Sequence, residues 1–205
     1  MKFGLVHRVM TDALAVLGIL ALVASGQFDG WMSAAILVAL ALALLVREPW
    51  QSSSLFKHLD TVALLGVTGL QIVRFALGSS LLDVLVEFAA ALQVVRLATR
   101  RGAAHDQQII VLALLHLIAG TVLGGGLGYG LCFVGVLVVA PGALVLSHLR
   151  REVEGNYRQG ARDRTGLPVD VPRILRSQRV VGRTFLAVTC LLSIPIFAFT
   201  AVLFV

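Results

Sequence analysis

Three charged side chains stand where a charge is expensive: Arg74 near the end of one apolar run, and Asp83 and Glu87 in the next. A charge taken into hydrocarbon must be paired or hydrated, so such groups mark either an ion pair that docks two helices or a route for protons or solute. The four-residue spacing puts Asp83 and Glu87 on one helix face, and by helical rise alone Arg74 reaches either of them. Gln71, one turn before Arg74, and Gln93, deeper in the following run, add polar groups to the same hairpin. In the pathway reading Glu87 is the titrating carboxylate, and Gln71, Gln93 and His116 line a polar route. In the docking reading the three charges fix one helix against another. All three fall near the outer interface rather than the midplane, which favours docking.

Other reactive side chains are isolated. His116 lies well inside an apolar run without a second His four residues on, which fits a hydrogen-bonding helix contact better than a metal ligand. Arg96 is placed to snorkel to the surface beside Arg100 and Arg101, and His148 closes its run, where a cation complements a helix C-terminus. Cys132 and Cys190 both sit in apolar runs with no partner at ligand spacing, so they imply neither a disulfide framework nor a zinc site. Gly128-Tyr129-Gly130 has the central order of a potassium filter, but no Thr-Val precedes it and no separate pore-helix segment accompanies it. No strand precedes these glycines, so they make no nucleotide loop. No motif implies a cofactor or a metal.

The elements that carry these residues follow from composition. Hydrophobic residues make up 58% of the 205 residues, above the roughly one half usual in water-soluble domains. They come in charge-poor blocks rather than half-buried stripes, which matches lipid as the solvent. The blocks predict an all-α polytopic transmembrane bundle of about seven spans, at Val9 to Ala24, Trp31 to Val46, Thr61 to Leu77, Leu81 to Ala98, Ile109 to Leu123, Leu127 to Leu149 and Thr184 to Val205. Between them lie turn residues, among them Gly26 to Gly30, Pro49, Ser52 to Ser54 and Gly78-Ser79-Ser80. Ser80 with Asp83 fits a capping box opening the fourth helix. Gly120, Gly124 and Gly128 give small-residue spacing for close helix approach, and Pro141 and Pro195 predict kinks.

Charge sets the orientation. The net charge is +6, yet the basic residues gather at block ends and in one connecting segment, which suits a bilayer and not nucleic acid. With the N-terminus inside, one side collects Lys2, Arg8, Arg47, Lys57, Arg96, Arg100, Arg101 and all the basic residues from Arg150 to Arg183, and the other receives only Arg74. The positive-inside rule then puts the C-terminus outside. A cleaved signal sequence is the other reading of the first block, since Lys2 and Arg8 precede a run ending in Ala24-Ser25-Gly26; Asp12 inside it argues against that. The organisation expected is a six-span bundle over residues 1–149, a basic cytoplasmic segment over 150–183, and a seventh span over 184–205. The first part of the basic segment, with Gly155, Gly160, Gly166 and Pro168, reads as a loop. From Asp170 onward a short interfacial helix would place Arg173, Arg176, Arg179 and Arg183 on lipid headgroups, the alternative being a solvated loop.

This architecture, with three local patterns, resembles the N-terminal membrane domain of bacterial transglutaminase-like membrane proteins of the TgpA type. The patterns are the fourth span from Glu87 to Gln93-Val94-Val95-Arg96-Leu97, the sixth span ending His148-Leu149-Arg150-Arg151-Glu152, and the last span opening Gly182-Arg183-Thr184. The likeness runs from about the fourth span onward. It implies a multi-pass protein of the bacterial cytoplasmic membrane, followed in that family by an extracytoplasmic domain with a Cys-His-Asp triad. The last span ends at Phe204-Val205 with no polar residue beyond, so the expectation is a fragment or truncated frame whose continuation lies outside. The resemblance transfers an architecture and no catalytic residue. The expected role is an anchor or platform, with lipid, the missing outer domain or other membrane subunits as partners; a small transporter, a channel or an assembly partner are the alternatives.

Overall fold

Blocks of Leu, Val and Ala closed by Gly, Ser or Pro leave the backbone one good solution in a medium without water, the helix that satisfies its own hydrogen bonds. A computed structural model describes residues 3–46, 54–124, 126–158 and 182–204. Among the described residues there are seven α-helices and no strand: α1 Phe3–Ala24, α2 Gly30–Leu45, α3 Ser54–Ala76, α4 Leu81–Ala98, α5 Gly102–Gly124, α6 Leu127–Arg158 and α7 Arg183–Phe204. Four are long and apolar enough to cross a membrane: α1, α3 over His58–Ala76, α5, and α6 over Leu127–Gly155. The Gly30–Leu45 and Thr184–Pro195 stretches are shorter apolar helices.

Several helices outrun the apolar blocks that foretold them. α1 starts at Phe3 rather than Val9, α3 at Ser54 rather than Thr61, and α5 at Gly102 rather than Ile109. α6 runs past Leu149 to Arg158, so the loop expected to begin at Arg150 is helical over its first nine residues. Polar flanks continue a helix wherever their side chains help it: Arg150 Nε donates to Glu154 Oε1 at 2.9 Å, one turn on. Pro141 and Pro195 lie inside α6 and α7, and neither helix is broken there.

The chain forms two compact units, residues 15–133 and residues 1–14 with 134–205. In the first, α4 packs against α2, α3 and α5. Ile19, Leu22, Ile36, Leu40, Val86, Ala90, Leu97 and Ile109 form its core. Gly18 lets α1 lie directly on α5, because a Cβ there would stand 2.8 Å from the Ala113 carbonyl oxygen. In the second unit Val136, Ala140, Ala143 and Leu146 are buried along one side of α6. Gly142 accommodates Cys190 Sγ and Met10, each within 3.0 Å of where its Cβ would be. Phe3 stacks on His7 at 6.2 Å between ring centroids, and Arg8 pairs with Asp12 at 3.7 Å.

The outward faces are apolar. On α3, Val62, Leu65, Leu70, Ile72, Val73 and Phe75 are all more than half exposed, and only 6% of its apolar stretch is buried. Continuous apolar surface on this scale is unusual for a protein in water and fits a hydrocarbon solvent.

Candidate functional site

The turn between α3 and α4 positions the charged cluster. Gly78 has a φ of 95°, a backbone conformation that glycine takes without Cβ strain. Its N–H donates to the Phe75 carbonyl at 3.0 Å and the Ser79 N–H to the Arg74 carbonyl at 3.1 Å. That pair of bonds closes α3 in a Schellman motif and fixes Arg74 in its last turn. Ser80 then caps α4, its hydroxyl oxygen accepting from the Asp83 N–H at 3.1 Å.

Arg74 Nη1 donates to Glu87 Oε2. The Glu87 side chain is 10% exposed and that of Arg74 32%, so the pair is partly desolvated and directional. Asp83 takes a different partner: its Oδ1 accepts from Gln27 Nε2, on the turn between α1 and α2, at 2.5 Å. Gln27, Asp29, Trp31, Arg74, Asp83 and Glu87 line a cleft of about 160 Å³. It carries three carboxylates against one guanidinium.

The other end of the same helices holds a second polar group, in which Asp60, Thr99, His105 and Asp106 join the three arginines that the sequence places together. Arg96 Nη1 lies 3.4 Å from both oxygens of Asp60 on α3, and Thr99 Oγ1 donates to Asp60 Oδ1 at 2.8 Å. Arg100 Nε donates to Asp106, a residue with no exposed surface in the first turns of α5. His105 Nδ1 accepts from the Arg101 N–H at 3.1 Å. Arg96 thereby ties α4 to α3. A charge-to-charge pattern across helices has no fixed sequence spacing, so only the occurrence of Asp60 and Asp106 near block starts signalled it.

Three expected pathway residues are buried. Gln93 Nε2 donates to the Ile109 carbonyl at 3.2 Å, joining α4 to α5, while its Oε1 has no partner. His116 on α5 approaches the Ala89 backbone of α4, and neither ring nitrogen completes a hydrogen bond. Gln71 is buried on α3 with its Oε1 unpartnered. Arg173, Arg176 and Arg179 lie outside the described residues, and Arg183 opens α7 with its side chain outside them. Tyr129 sits in the first turn of α6, its hydroxyl 2.5 Å from Thr121 Oγ1 and 3.2 Å from the Leu117 carbonyl it donates to. Gly128-Tyr129-Gly130 is thus helix, not an extended row of carbonyls.

The lining of the acidic cleft includes no thiol or hydroxyl nucleophile beside a base, and no group of three metal-ligating side chains occurs among the described residues. What the arrangement does chemically is hold helices by charge. No protein-family model, no curated protein and no solved structure matches the chain.

Proposed function

We propose that this chain is a seven-span platform of the bacterial cytoplasmic membrane, N-terminus inside and C-terminus outside, that anchors a transglutaminase-like domain on the outer face. One observation carries the platform reading: each of the four acidic side chains on α3, α4 and the start of α5 is already engaged. Asp60 takes Arg96 and Thr99, Asp83 takes Gln27, Glu87 takes Arg74, and Asp106 takes Arg100. Carboxylates committed to neighbouring helices and turns make rigid joints, whereas a transport route needs at least one that exchanges its partner. The residue patterns of the fourth, sixth and last spans support placing the chain with the transglutaminase-like proteins.

Single cysteines introduced at Tyr157 and near Val205 test the layout by labelling with a membrane-impermeant thiol reagent. Opposite compartments support it, and the same compartment for both sinks it. The transglutaminase part is tested by the reading frame downstream of Val205, which should encode a soluble domain with a Cys, a His and an Asp.

A second reading, a small transporter, draws on the unpartnered Gln93 Oε1 and the His116 nitrogens between α4 and α5. Purified protein in liposomes separates the two. Proton- or solute-coupled flux that is lost in Glu87→Gln would replace the platform with a pathway.

A further inference from the structure

One ring nitrogen of His105 stands between two backbone groups that make opposite demands on it. Its Nδ1 accepts from the Arg101 N–H at 3.1 Å and lies 3.2 Å from the Thr99 carbonyl oxygen. Such a nitrogen serves one of them at a time: with a lone pair it accepts, with a proton it donates. Arg101 lies between the end of α4 and the start of α5, and a side chain in the first turns of α5 reaches back to its N–H much as in a capping box. Thr99 is the C-cap of α4 and 2% exposed, so its carbonyl is one of the acceptors that a helix end leaves without a partner in the ladder.

The two groups differ in how they are held. Thr99 is fixed from two sides, its N–H donating to the Val95 carbonyl at 2.9 Å and its hydroxyl to Asp60 on α3 at 2.8 Å. The Arg101 N–H is tied through His105, next to Gly102, whose φ of 65° belongs to a turn. A change of partner at His105 therefore leaves Thr99 in place and loosens the Arg101 side of the turn. The charged groups that face the ring are Arg96 from α4, Asp60 from α3 and Arg101 from the turn; Asp106, the next residue on α5, pairs with Arg100. The guanidinium groups oppose a charge on the ring, while Asp60 and the C-terminal carbonyls of α4 favour it, so its neighbours lock it in neither state. The ring is partly exposed, which leaves it open to a proton.

We propose that His105 is a proton-operated latch on the turn between α4 and α5: neutral, it holds the Arg101 N–H; protonated at Nδ1, it donates to the Thr99 carbonyl and releases the Arg101 amide. Histidine is the side chain whose ordinary titration falls in the neutral range, so the exchange takes place under mild acidification. The latch does not depend on the platform reading. The layout proposed above decides only which compartment it reads, the inner one.

Solution NMR of the full chain in detergent micelles tests it, with amide exchange expressed as protection relative to the unfolded rate at each pH. The Arg101 amide should be protected at about pH 8 and lose roughly tenfold of that protection at about pH 5, the worth of one hydrogen bond across the range in which histidine titrates. The Thr99 amide, which donates to Val95, is the internal control and should keep its protection. His105→Asn puts an amide oxygen near the place of Nδ1 and does not titrate, so in that variant Arg101 should stay protected at both pH values. Nitrogen chemical shifts of the His105 ring report the proton itself: a bare Nδ1 at the upper pH and a protonated one at the lower. Unchanged Arg101 protection in the unsubstituted chain, an equal loss in His105→Asn or at Thr99, or an Nδ1 already protonated at the upper pH would each overturn the latch. Should His105→Asn fail to fold, the exchange and ring shifts of the unsubstituted chain decide alone.

Discussion

Arg74, in the last turn of α3, donates to Glu87 on α4, thirteen residues further along the chain. At the other end of the same two helices the signs are exchanged, with Asp60 on α3 and Arg96 on α4. Two pairs of opposite sense fix the axial register of the hairpin, because sliding one helix past the other separates both. The apolar contacts between α3 and α4 lack that selectivity, since one aliphatic side chain replaces another at little difference in energy.

Breaking the outer pair from one side should therefore be worse than removing it whole. Glu87→Leu leaves Arg74 facing a partly buried site and is expected to destabilise by about 1–3 kcal/mol. The double variant Arg74→Leu with Glu87→Leu recovers most of that loss, because neither charge is then stranded. Thermal unfolding in detergent of the two single variants and the double gives the coupling directly; strict additivity would deny the pair a joint role.

The sequence made the hairpin legible because its turn chemistry is local. Gly78-Ser79-Ser80 and the following Asp83 announce the end of α3 and the cap of α4, and both are found. The reach of Arg74 to either Asp83 or Glu87 was legible as a pair of options, and the choice was not. It is made by Gln27, which comes from another turn fifty-six residues away and occupies Asp83. Asp60 with Arg96 went unread for the same reason, since contacts between helices depend on packing that periodicity along one helix does not reveal. The helices run past the apolar blocks, as the apolar signal fades at Thr61 or Ile109 while the backbone bonds continue into the polar flanks.

Glycines should divide by what lies opposite them. A methyl group at Gly18 meets the Ala113 backbone at 2.8 and 2.9 Å, and a helix backbone does not yield as a side-chain tip does. Gly18→Ala is expected to push α1 from α5 and to destabilise by about 1–3 kcal/mol. Gly66 has nothing within 4 Å of that position, so Gly66→Ala should be neutral or stabilise by up to about 1 kcal/mol through helix propensity. Unfolding midpoints of the two variants in the same detergent check the contrast, and a similar loss in both would contradict it.

Gly78→Ala probes the turn itself. With a φ of 95° the added Cβ strains the backbone, and the expected loss is about 1 kcal/mol. The strain falls on the bonds that close α3 behind Arg74, so amide hydrogen exchange at Gly78 and Ser79 should quicken while exchange in the middle of α3 stays slow. Uniform quickening along α3 would instead mean that the turn and the helix open together.

Gln93 gives the sharpest separation of joint from pathway. Its side chain has no exposed surface, donates one hydrogen bond to the Ile109 carbonyl, and leaves Oε1 without a partner. Replacing it by leucine removes one modest bond together with one unsatisfied acceptor and keeps the volume nearly constant. The two effects oppose each other, so Gln93→Leu should shift stability by less than about 1 kcal/mol in either direction. His116→Leu removes a second buried polar group that lacks a completed hydrogen bond at the same pair of helices, and the same reasoning predicts no loss of stability. If these side chains instead carry a proton or solute, the variants will fold normally and abolish flux in liposomes. A platform predicts folded variants and no flux to lose, measured by a pH-sensitive dye inside the vesicles under an imposed gradient.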